Sequence, residues 1–188
     1  MGRRAARRRK VSAPQVVAAA VAVCAVLGLT FAAATGRFAG HGREGLTEFA
    51  PATVLSVRDG DTLYVRLDTG EEGFVRLIGV DAPESVNPDP GKNTPEGEAA
   101  AAFLRSVVSA GQTVYLVRDV SDHDKFGRWL RYVWLEVPEQ PFAPAEVRTK
   151  MLQGILVAAG HARVTRFAPD TSYYDILVTI SYTADRAA

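Results

Sequence analysis

Three short stretches of the sequence carry carboxylates and arginines at spacings that could do chemistry. The first, VRLIGVDAPE (residues 75–84), places an arginine in an apolar run and then two carboxylates three residues apart around a proline. The period-two alternation of its apolar residues predicts a strand covered on both faces. Arg76 would be buried there and would need a carboxylate or an anion as its partner. Pro83 ends the strand, so Asp81 and Glu84 are predicted to lie at its rim.

A second acidic turn, Asp59-Gly60-Asp61, lies between the alternating segments VLSV and TLYVRL. Alone, an Asp-Gly pair between such segments indicates an ordinary hairpin. Two acidic turns close in sequence need a joint explanation, because carboxylates gathered on one rim repel each other and raise each other's pKa. Such groups usually accompany a bound cation. Oxygen ligands with no Cys or His nearby suit calcium or magnesium rather than zinc.

The third stretch, DKFGR (residues 124–128), follows the predicted strand VYLVRDV and alone indicates only a solvated turn. In the order DGDT, R-L-x3-DxPE and DKxGR, the three stretches resemble the staphylococcal nuclease (thermonuclease-like) family. The similarity extends from about residue 52 to about residue 169 and includes QGILVAAGHARV (residues 153–164), which is similar to a late helix of the family and the segment after it. The resemblance implies an α+β fold, a five-stranded OB-fold barrel with about three packed helices.

The resemblance also implies a calcium site. Asp61 and Asp81 match positions that ligate Ca²⁺ through carboxylates, and Ala82 matches a ligand that uses its main-chain oxygen. The family often has Thr at this last position, so a carbonyl ligand would survive here but a hydroxyl contact would be lost. Asp59 matches an acidic position close to the metal, in its outer shell.

The resemblance also implies which residues contact the phosphodiester substrate. Arg76 and Arg128 would hold phosphate oxygens as a pair of guanidinium forks, a geometry that lysine cannot copy. Glu84 would orient or deprotonate the attacking water. Lys125 and Phe126 match positions that contact a neighbouring phosphate and nucleotide. Phe126 replaces a familiar Tyr, so only stacking or packing remains at that position.

Plainer roles are also open for these residues. Arg76 could form a rim salt bridge with Glu84, and Arg128 with Asp124, without any chemistry. The three histidines share no metal-ligand spacing and are interpreted as ordinary residues, although His123 lies near the arginine loop, where a substrate contact is possible. The two tryptophans have odd spacing on a strand and are assigned to packing.

The N-terminus differs from the rest of the chain in charge and hydropathy. Six Arg and Lys occur in the first ten residues, and residues 11–36 contain no charge. The most apolar part, residues 16–34, is near the roughly 20 residues that cross a bilayer and longer than the roughly 7–15 residues of the apolar region within a signal peptide. Residues 1–36 are therefore predicted to be either a cleaved signal peptide or an uncleaved anchor, and both place the remainder outside the cytoplasm. Cys24, the only cysteine, excludes a disulfide framework.

Charge also limits how the chain could bind its partners. Of its 22 Lys and Arg, six belong to the N-terminal end, which leaves 16 against 21 Asp and Glu, a net charge of about −5. Such a domain does not grip nucleic acid by bulk electrostatics. If the domain binds polyphosphate chains, a metal ion and a few arginines positioned at the site must supply the positive charge locally.

After a linker (residues 37–50), residues 51–188 are long enough for one domain with its own core. Alternation and turn residues predict its elements. The predicted strands cover about residues 52–58, 62–68, 73–80, 112–120 and 129–136; the predicted helices begin near Pro95 with Thr94 as N-cap, span about 146–159, and begin at Thr171.

The sequence therefore predicts an extracytoplasmic, Ca²⁺-dependent phosphodiesterase, a monomer that hydrolyses DNA and RNA with little base specificity. One alternative is a membrane-anchored OB-fold module that binds nucleic acid without cutting it. Another is a structural domain stabilised by calcium. The negative net charge favours these two alternatives, whereas the complete set of carboxylates and arginines favours the enzyme.

Overall fold

The computed structural model describes residue 46 and residues 48–86, 89, 91 and 93–186. The predicted leader, Cys24 and most of the linker lie outside these residues. No helix among the described residues is both long enough and apolar enough to cross a membrane. The described elements are strands β1 (Ala50–Asp59), β2 (Thr62–Leu67), β3 (Glu72–Leu77), β4 (Val80–Asp81), β5 (Thr113–Val117), β6 (Trp129–Trp134) and β7 (Arg163–Val164), and helices α1 (Pro95–Val107), α2 (Pro144–Lys150), α3 (Leu152–Ala158) and α4 (Tyr174–Asp185).

Five of these strands close into a barrel in the order β1-β2-β3-β6-β5, which confirms the predicted five-stranded barrel. All neighbouring pairs are antiparallel except β3 and β6, which are parallel. Alternate residues of each strand point inward, and Val54, Leu63, Val65 and Val75 are completely buried in the core. Closure leaves the loops at the barrel rim as the place where polar groups can gather.

The third strand, predicted over residues 73–80, ends earlier than predicted. Strand β3 stops at Leu77, and Gly79, at φ 84°, turns the chain out of the barrel. The chain then forms β4, which pairs with β7 in a separate two-stranded sheet. Ile78 is therefore not a strand residue, although it is completely buried as the apolar run suggests. The turn carries Asp81 over the barrel rim.

The predicted helix over residues 146–159 is instead two short helices, α2 and α3. They are separated at Met151, whose backbone is extended and forms a bridge with Trp134 of the barrel. A Cβ atom on Gly154 would overlap the carbonyl of Val147, so this glycine lets the two helices pack closely. This break explains why the described residues contain four helices where about three are predicted.

Helix α1 begins as predicted, with the hydroxyl of Thr94 accepting a hydrogen bond from Gly97 N–H at 3.0 Å. The last helix begins three residues later than predicted, after Tyr173. That tyrosine is completely buried, and its ring packs edge-on against Tyr132 and Trp134. The packing role assigned to the tryptophans is confirmed, since Trp134 is 0 % and Trp129 only 7 % exposed.

Candidate active site

One pocket at the barrel rim, with a volume near 180 Å³, brings together residues that are distant in sequence. Its lining includes every residue that the sequence predicts for metal binding and for catalysis, and in addition Gly60 and Pro83. The two acidic turns and the loop that carries Arg128 therefore meet at one place, as the three motifs require. Lys125 and Phe126 do not line the pocket, although they belong to the same loop as Arg128.

Arg76 lies between two of the carboxylates. Its Nη2 atom is 3.0 Å from Asp61 Oδ2 and 3.0 Å from Asp81 Oδ1. Its Nη1 atom donates to the carbonyls of Leu77, at 2.5 Å, and Val80, at 2.9 Å. The Arg76 side chain is only 8 % exposed, so these contacts satisfy a buried charge. We call Asp61, Arg76 and Asp81 the clamp.

The alternative in which Arg76 pairs with Glu84 is wrong, because its carboxylate partners are Asp61 and Asp81. The reason is the turn at Gly79. It brings Asp81 back over the end of β3, where Asp81 Oδ1 lies within ion-pair distance of the guanidinium. Glu84 is left exposed at the mouth of the pocket.

Asp61 is the buried acid of the site. Burial raises its pKa to about 6 and outweighs Arg76 and the hydrogen bonds that favour the charged form; the nearby charge of Asp59 also raises it. The N–H of Ala82 donates to Asp61 Oδ2 at 3.1 Å, and the Thr62 hydroxyl donates to Oδ1 at 3.1 Å. The bond from Ala82 ties the two acidic turns together.

Small residues allow this close approach. A Cβ atom on Gly60 would lie 2.7 Å from the Cβ of Ala82 and 2.8 Å from the Cβ of Ala100 in α1. Any side chain at position 60 would therefore push the two acidic turns or the helix apart. Sequence reasoning assigned Gly60 only to a hairpin, and the sequence gives no other signal for this packing role.

The start of helix α1 fixes the main chain of Glu84. The N–H of Thr94 donates to the Glu84 carbonyl at 2.9 Å. A Cβ atom on Gly97 would overlap that same carbonyl, so only glycine fits. Sequence reasoning missed Gly97, because a glycine in the first turn of a helix has no partner visible in the sequence.

Arg128 is held by its own loop. Asp124 Oδ1 accepts the N–H groups of Phe126 at 2.9 Å and Arg128 at 3.0 Å, while Oδ2 accepts from Arg128 Nε at 2.7 Å. Gly127, at φ 79°, makes this turn possible. Burial alone would raise the pKa of Asp124, but these hydrogen bonds lower it. We call residues 124–128 the arginine loop.

The alternative ion pair between Arg128 and Asp124 is thus present, but it does not remove Arg128 from the pocket. The pair uses Nε, and Nη1 extends to the Thr62 hydroxyl at a long 3.4 Å. Thr62 therefore touches both the clamp, through Asp61, and the arginine loop. The sequence places Thr62 in the DGDT motif and at the start of a strand, but it indicates no contact for its side chain.

The remaining candidates lie around the pocket. Phe126 is 72 % exposed, with Lys125 Nζ 5.0 Å and Arg128 Cζ 5.6 Å from its ring centroid. His123 pairs with Asp122 at 3.0 Å, and His161 stacks on Phe103 with ring centroids 4.3 Å apart. His41 lies outside the described residues.

The rim pocket offers oxygen ligands, the kind that hard cations such as Ca²⁺ prefer. Asp59, Asp61 and Asp81 offer carboxylates, Ala82 offers a main-chain carbonyl, and no thiol or imidazole lines the pocket. Among the described residues, however, no three acidic, histidine or cysteine side chains stand close enough together to hold one ion as they are placed. The raised pKa of Asp61 shows that Arg76 alone does not compensate the burial of its negative charge. A bound cation would supply the missing compensation.

A closed barrel with acids and arginines gathered at one rim defines the chain as an α+β barrel protein with a charged rim site. Residues 74–187 match the family model described as "Staphylococcal nuclease homologue", which is more than half of the chain. The chain belongs to the staphylococcal nuclease family.

Curated proteins of the same type are similar over much of the chain. It is 33 % identical to the "Thermonuclease" of Staphylococcus hyicus over 158 residues, which cover 82 % of each protein. It is 38 % identical to the "Thermonuclease" of Staphylococcus intermedius over 128 residues, 66 % of this chain and 65 % of that protein. It is 34 % identical to "Endonuclease YncB" of Bacillus subtilis over 119 residues, 62 % of this chain and about half (49 %) of that protein.

Proposed function

We propose that this protein is a nuclease that hydrolyses phosphodiester bonds of DNA and RNA, with Ca²⁺ as its cofactor. The observation that carries the proposal is the rim pocket, which gathers two arginines and four carboxylates in about 180 Å³. Membership of the family and the similarity to proteins named thermonuclease and endonuclease support the same activity.

The two arginines suit the electrostatic part of the reaction. Phosphodiester hydrolysis has a very high barrier, and charge on the transferring phosphoryl group must be neutralised by groups already in place. Arg128 reaches the pocket with Nε fixed by Asp124, so its two Nη atoms can form a fork toward phosphate oxygens. The bonds from Arg76 Nη1 to two carbonyls keep that guanidinium in the pocket, while Nη2 can exchange a carboxylate for a phosphate oxygen.

Asp61, Asp81 and the carbonyl of Ala82 would hold the cation, with Asp59 behind them. When bound, Ca²⁺ supplies a Lewis acid that neutralises charge on the phosphate and positions a water. Glu84 lies exposed at the pocket mouth, where its carboxylate can orient that water and accept its proton. The hydrogen bond from Thr94 N–H to the Glu84 carbonyl fixes the main chain from which this side chain extends.

We also propose that the protein works as a monomer outside the cytoplasm. The support for the location is the sequence of residues 1–36, with its basic end and uncharged apolar segment. Cleaved signal peptide and uncleaved anchor remain two forms of this proposal. A reporter enzyme that is active only outside the cytoplasm, fused after Ala188, would be active in either form, and the mass of the purified protein would tell them apart.

The decisive experiment is a cleavage assay with the full-length chain. Fluorescent single-stranded DNA is incubated with Ca²⁺ or with a chelator, and Glu84→Gln is compared with Glu98→Gln, an exposed acid on α1 as control. We expect cleavage only with Ca²⁺ and its loss only in Glu84→Gln. Binding of DNA without any cleavage would identify the binding module instead, and calcium-dependent melting without cleavage would identify the structural domain.

A further inference from the structure

Strands β2 and β3 turn every second residue away from the barrel core. Their inward residues, Leu63, Val65 and Val75, are completely buried. Because the two strands are antiparallel and in register, the outward residues form a row of cross-strand pairs that begins under the pocket. The pairs are Thr62 with Arg76, Tyr64 with Phe74, and Arg66 with Glu72.

The middle pair of this row is aromatic and carries a cation. The rings of Tyr64 and Phe74 are 4.8 Å apart between centroids and tilted by 46°. The guanidinium of Arg58, from β1, lies over the Phe74 ring at 5.0 Å. Arg58 is exposed and has no carboxylate partner within the described part of the chain. We call Arg58, Tyr64 and Phe74 the platform.

The platform is the next outward pair along the strands from Arg76, which lines the pocket. Thr62 and Arg76, the first pair of the row, are buried, whereas both rings of the platform are partly exposed. Thr62 also contacts Arg128 through its hydroxyl. Successive outward residues of a strand lie about 7 Å apart. One nucleotide of an extended strand spans about that distance, which places the platform within reach of the nucleotide next to one held at Arg76.

A cross-strand aromatic pair can serve only to stabilise a sheet. Two observations point further. The guanidinium over the Phe74 ring comes from β1 and has no carboxylate partner among the described residues, so the pairing of β2 with β3 does not require it. The domain also has a net charge of about −5, so a polyphosphate strand needs local cations next to aromatic faces to stay bound.

We propose that the platform binds single-stranded nucleic acid, namely the nucleotide next to the scissile phosphodiester in the pocket. A base stacks on Phe74 and Tyr64, and Arg58 contacts the phosphate that follows. This assignment rests on the proposed nuclease function for the meaning of the pocket. The binding itself depends only on the exposed rings, the unpaired cation and their position on the outer face.

Binding is the test, since it can be measured without cleavage. The full-length chain and its Phe74→Leu and Arg58→Ala variants are titrated into fluorescein-labelled oligothymidylate in chelator, and anisotropy gives Kd. Leu keeps an apolar contact to Tyr64 while removing the aromatic face. We expect Kd to rise about tenfold in Phe74→Leu and about fivefold in Arg58→Ala. The slope of log Kd against log salt falls by about 0.7 in Arg58→Ala only, because one phosphate contact is lost.

Tyr182→Ala is the matched control, because Tyr182 is an exposed aromatic residue on α4; its Kd stays within twofold of the parent. Circular dichroism confirms that each variant is folded. Unchanged Kd in folded Phe74→Leu and Arg58→Ala would overturn the platform and leave the pair as sheet packing. Failure of the parent to cleave in Ca²⁺ would reject the nuclease, but a selective loss of binding in these two variants would still establish the platform.

Discussion

The two arginines of the pocket differ in how deeply they are buried and in how many acceptors hold them. Arg76 is 8 % exposed and is bound by four acceptors, two of them main-chain carbonyls at the end of β3 and at β4. Arg128 is 28 % exposed and depends on the one carboxylate of Asp124 and on a long bond to Thr62. The buried part of the clamp, Arg76 with Asp61, thus belongs to the folded core, and only Asp81 is exposed, at 66 %. The arginine loop is a local turn added to the rim.

This difference separates stability from activity. Removing a buried charged group leaves its partners uncompensated, so a change in the clamp should reduce the stability of the whole domain. Removing the partly exposed Arg128 opens Asp124 to water and leaves it two backbone N–H bonds, so a change at Arg128 should reduce catalysis far more than stability. Variants of the clamp and of the arginine loop test whether stability and activity are separate in this sense.

The largest effect is expected for Arg76→Gln. The change leaves Asp61 buried beside Asp81 without a cation, and we expect about 3 kcal/mol of lost stability and at least a thousandfold loss of kcat. Urea unfolding and initial cleavage rates measure the two losses. Arg105→Gln, which removes a surface pair with Glu98 at 3.7 Å, serves as control and should change stability by less than about 1 kcal/mol. A fully stable Arg76→Gln would show that the clamp is not part of the core.

Arg128→Ala should separate the two properties most clearly. We expect kcat to fall about 10²- to 10³-fold, because a placed donor to the phosphoryl group is lost, with less than about 1 kcal/mol of lost stability. Arg128→Lys should recover little, since an ammonium cannot replace the fork. Cleavage at the parent rate by Arg128→Ala would remove this arginine from the proposed mechanism.

The convergence of the site could be predicted from sequence because its groups stand at strand ends. The acids at the end of β1 and near β4 share a rim because β1, β2 and β3 are antiparallel neighbours. The loop before β6 reaches the same rim because the first residue of β6, Trp129, pairs with Val75 near the end of β3. The ion-pair partners within the site could not be predicted. Arg76 selects Asp61 and Asp81 because of the turn at Gly79, and the run LIGV around that glycine is apolar on both sides. An apolar run predicts burial, but it does not reveal where a strand leaves its sheet.

The broken helix illustrates the same limit. The sequence around Met151 is compatible with continuous helix, and the break arises because the Met151 backbone pairs with Trp134, 17 positions earlier in the chain. Gly97 and Gly60 are further cases, since each is required by a neighbour brought there by the fold. Helix starts depend on local caps, which is why Thr94 could be predicted from sequence.

Asp124→Asn should have an intermediate effect. We expect kcat to fall about tenfold, because the amide cannot accept both loop N–H groups and the charged Nε bond equally well. The folded-state pKa of Asp124 lies below its ordinary value, so its contribution to stability is present above about pH 4 and is lost as pH falls through the folded pKa. The stability difference from the parent, under about 1 kcal/mol at pH 6, should therefore shrink towards pH 3 in unfolding titrations.

The control for this position is Asp122→Asn. Asp122 belongs to the same segment and pairs with Arg131 at 2.6 Å and with His123 at 3.0 Å, but it does not touch Arg128. Its own pKa is also lowered, because the interactions with Arg131 outweigh partial burial, so its variant should show a similar pH dependence. An equal loss of kcat in both variants would mean that Asp124 acts on the fold of the loop rather than on Arg128.

The smallest effect is expected for Lys125→Ala. Lys125 is exposed, and its ammonium group lies 5.0 Å from the centroid of the Phe126 ring, so it can contribute at most one phosphate contact. We expect KM to rise about threefold with kcat unchanged, and the salt dependence of KM to weaken by the share of one phosphate. Lys150→Ala, which removes a cation paired with Glu136 and Glu146, should change neither. If Lys125→Ala lowered kcat as strongly as Arg128→Ala, the arginine loop would have to act as one unit, and the contrast with the clamp would then concern whole segments rather than single side chains.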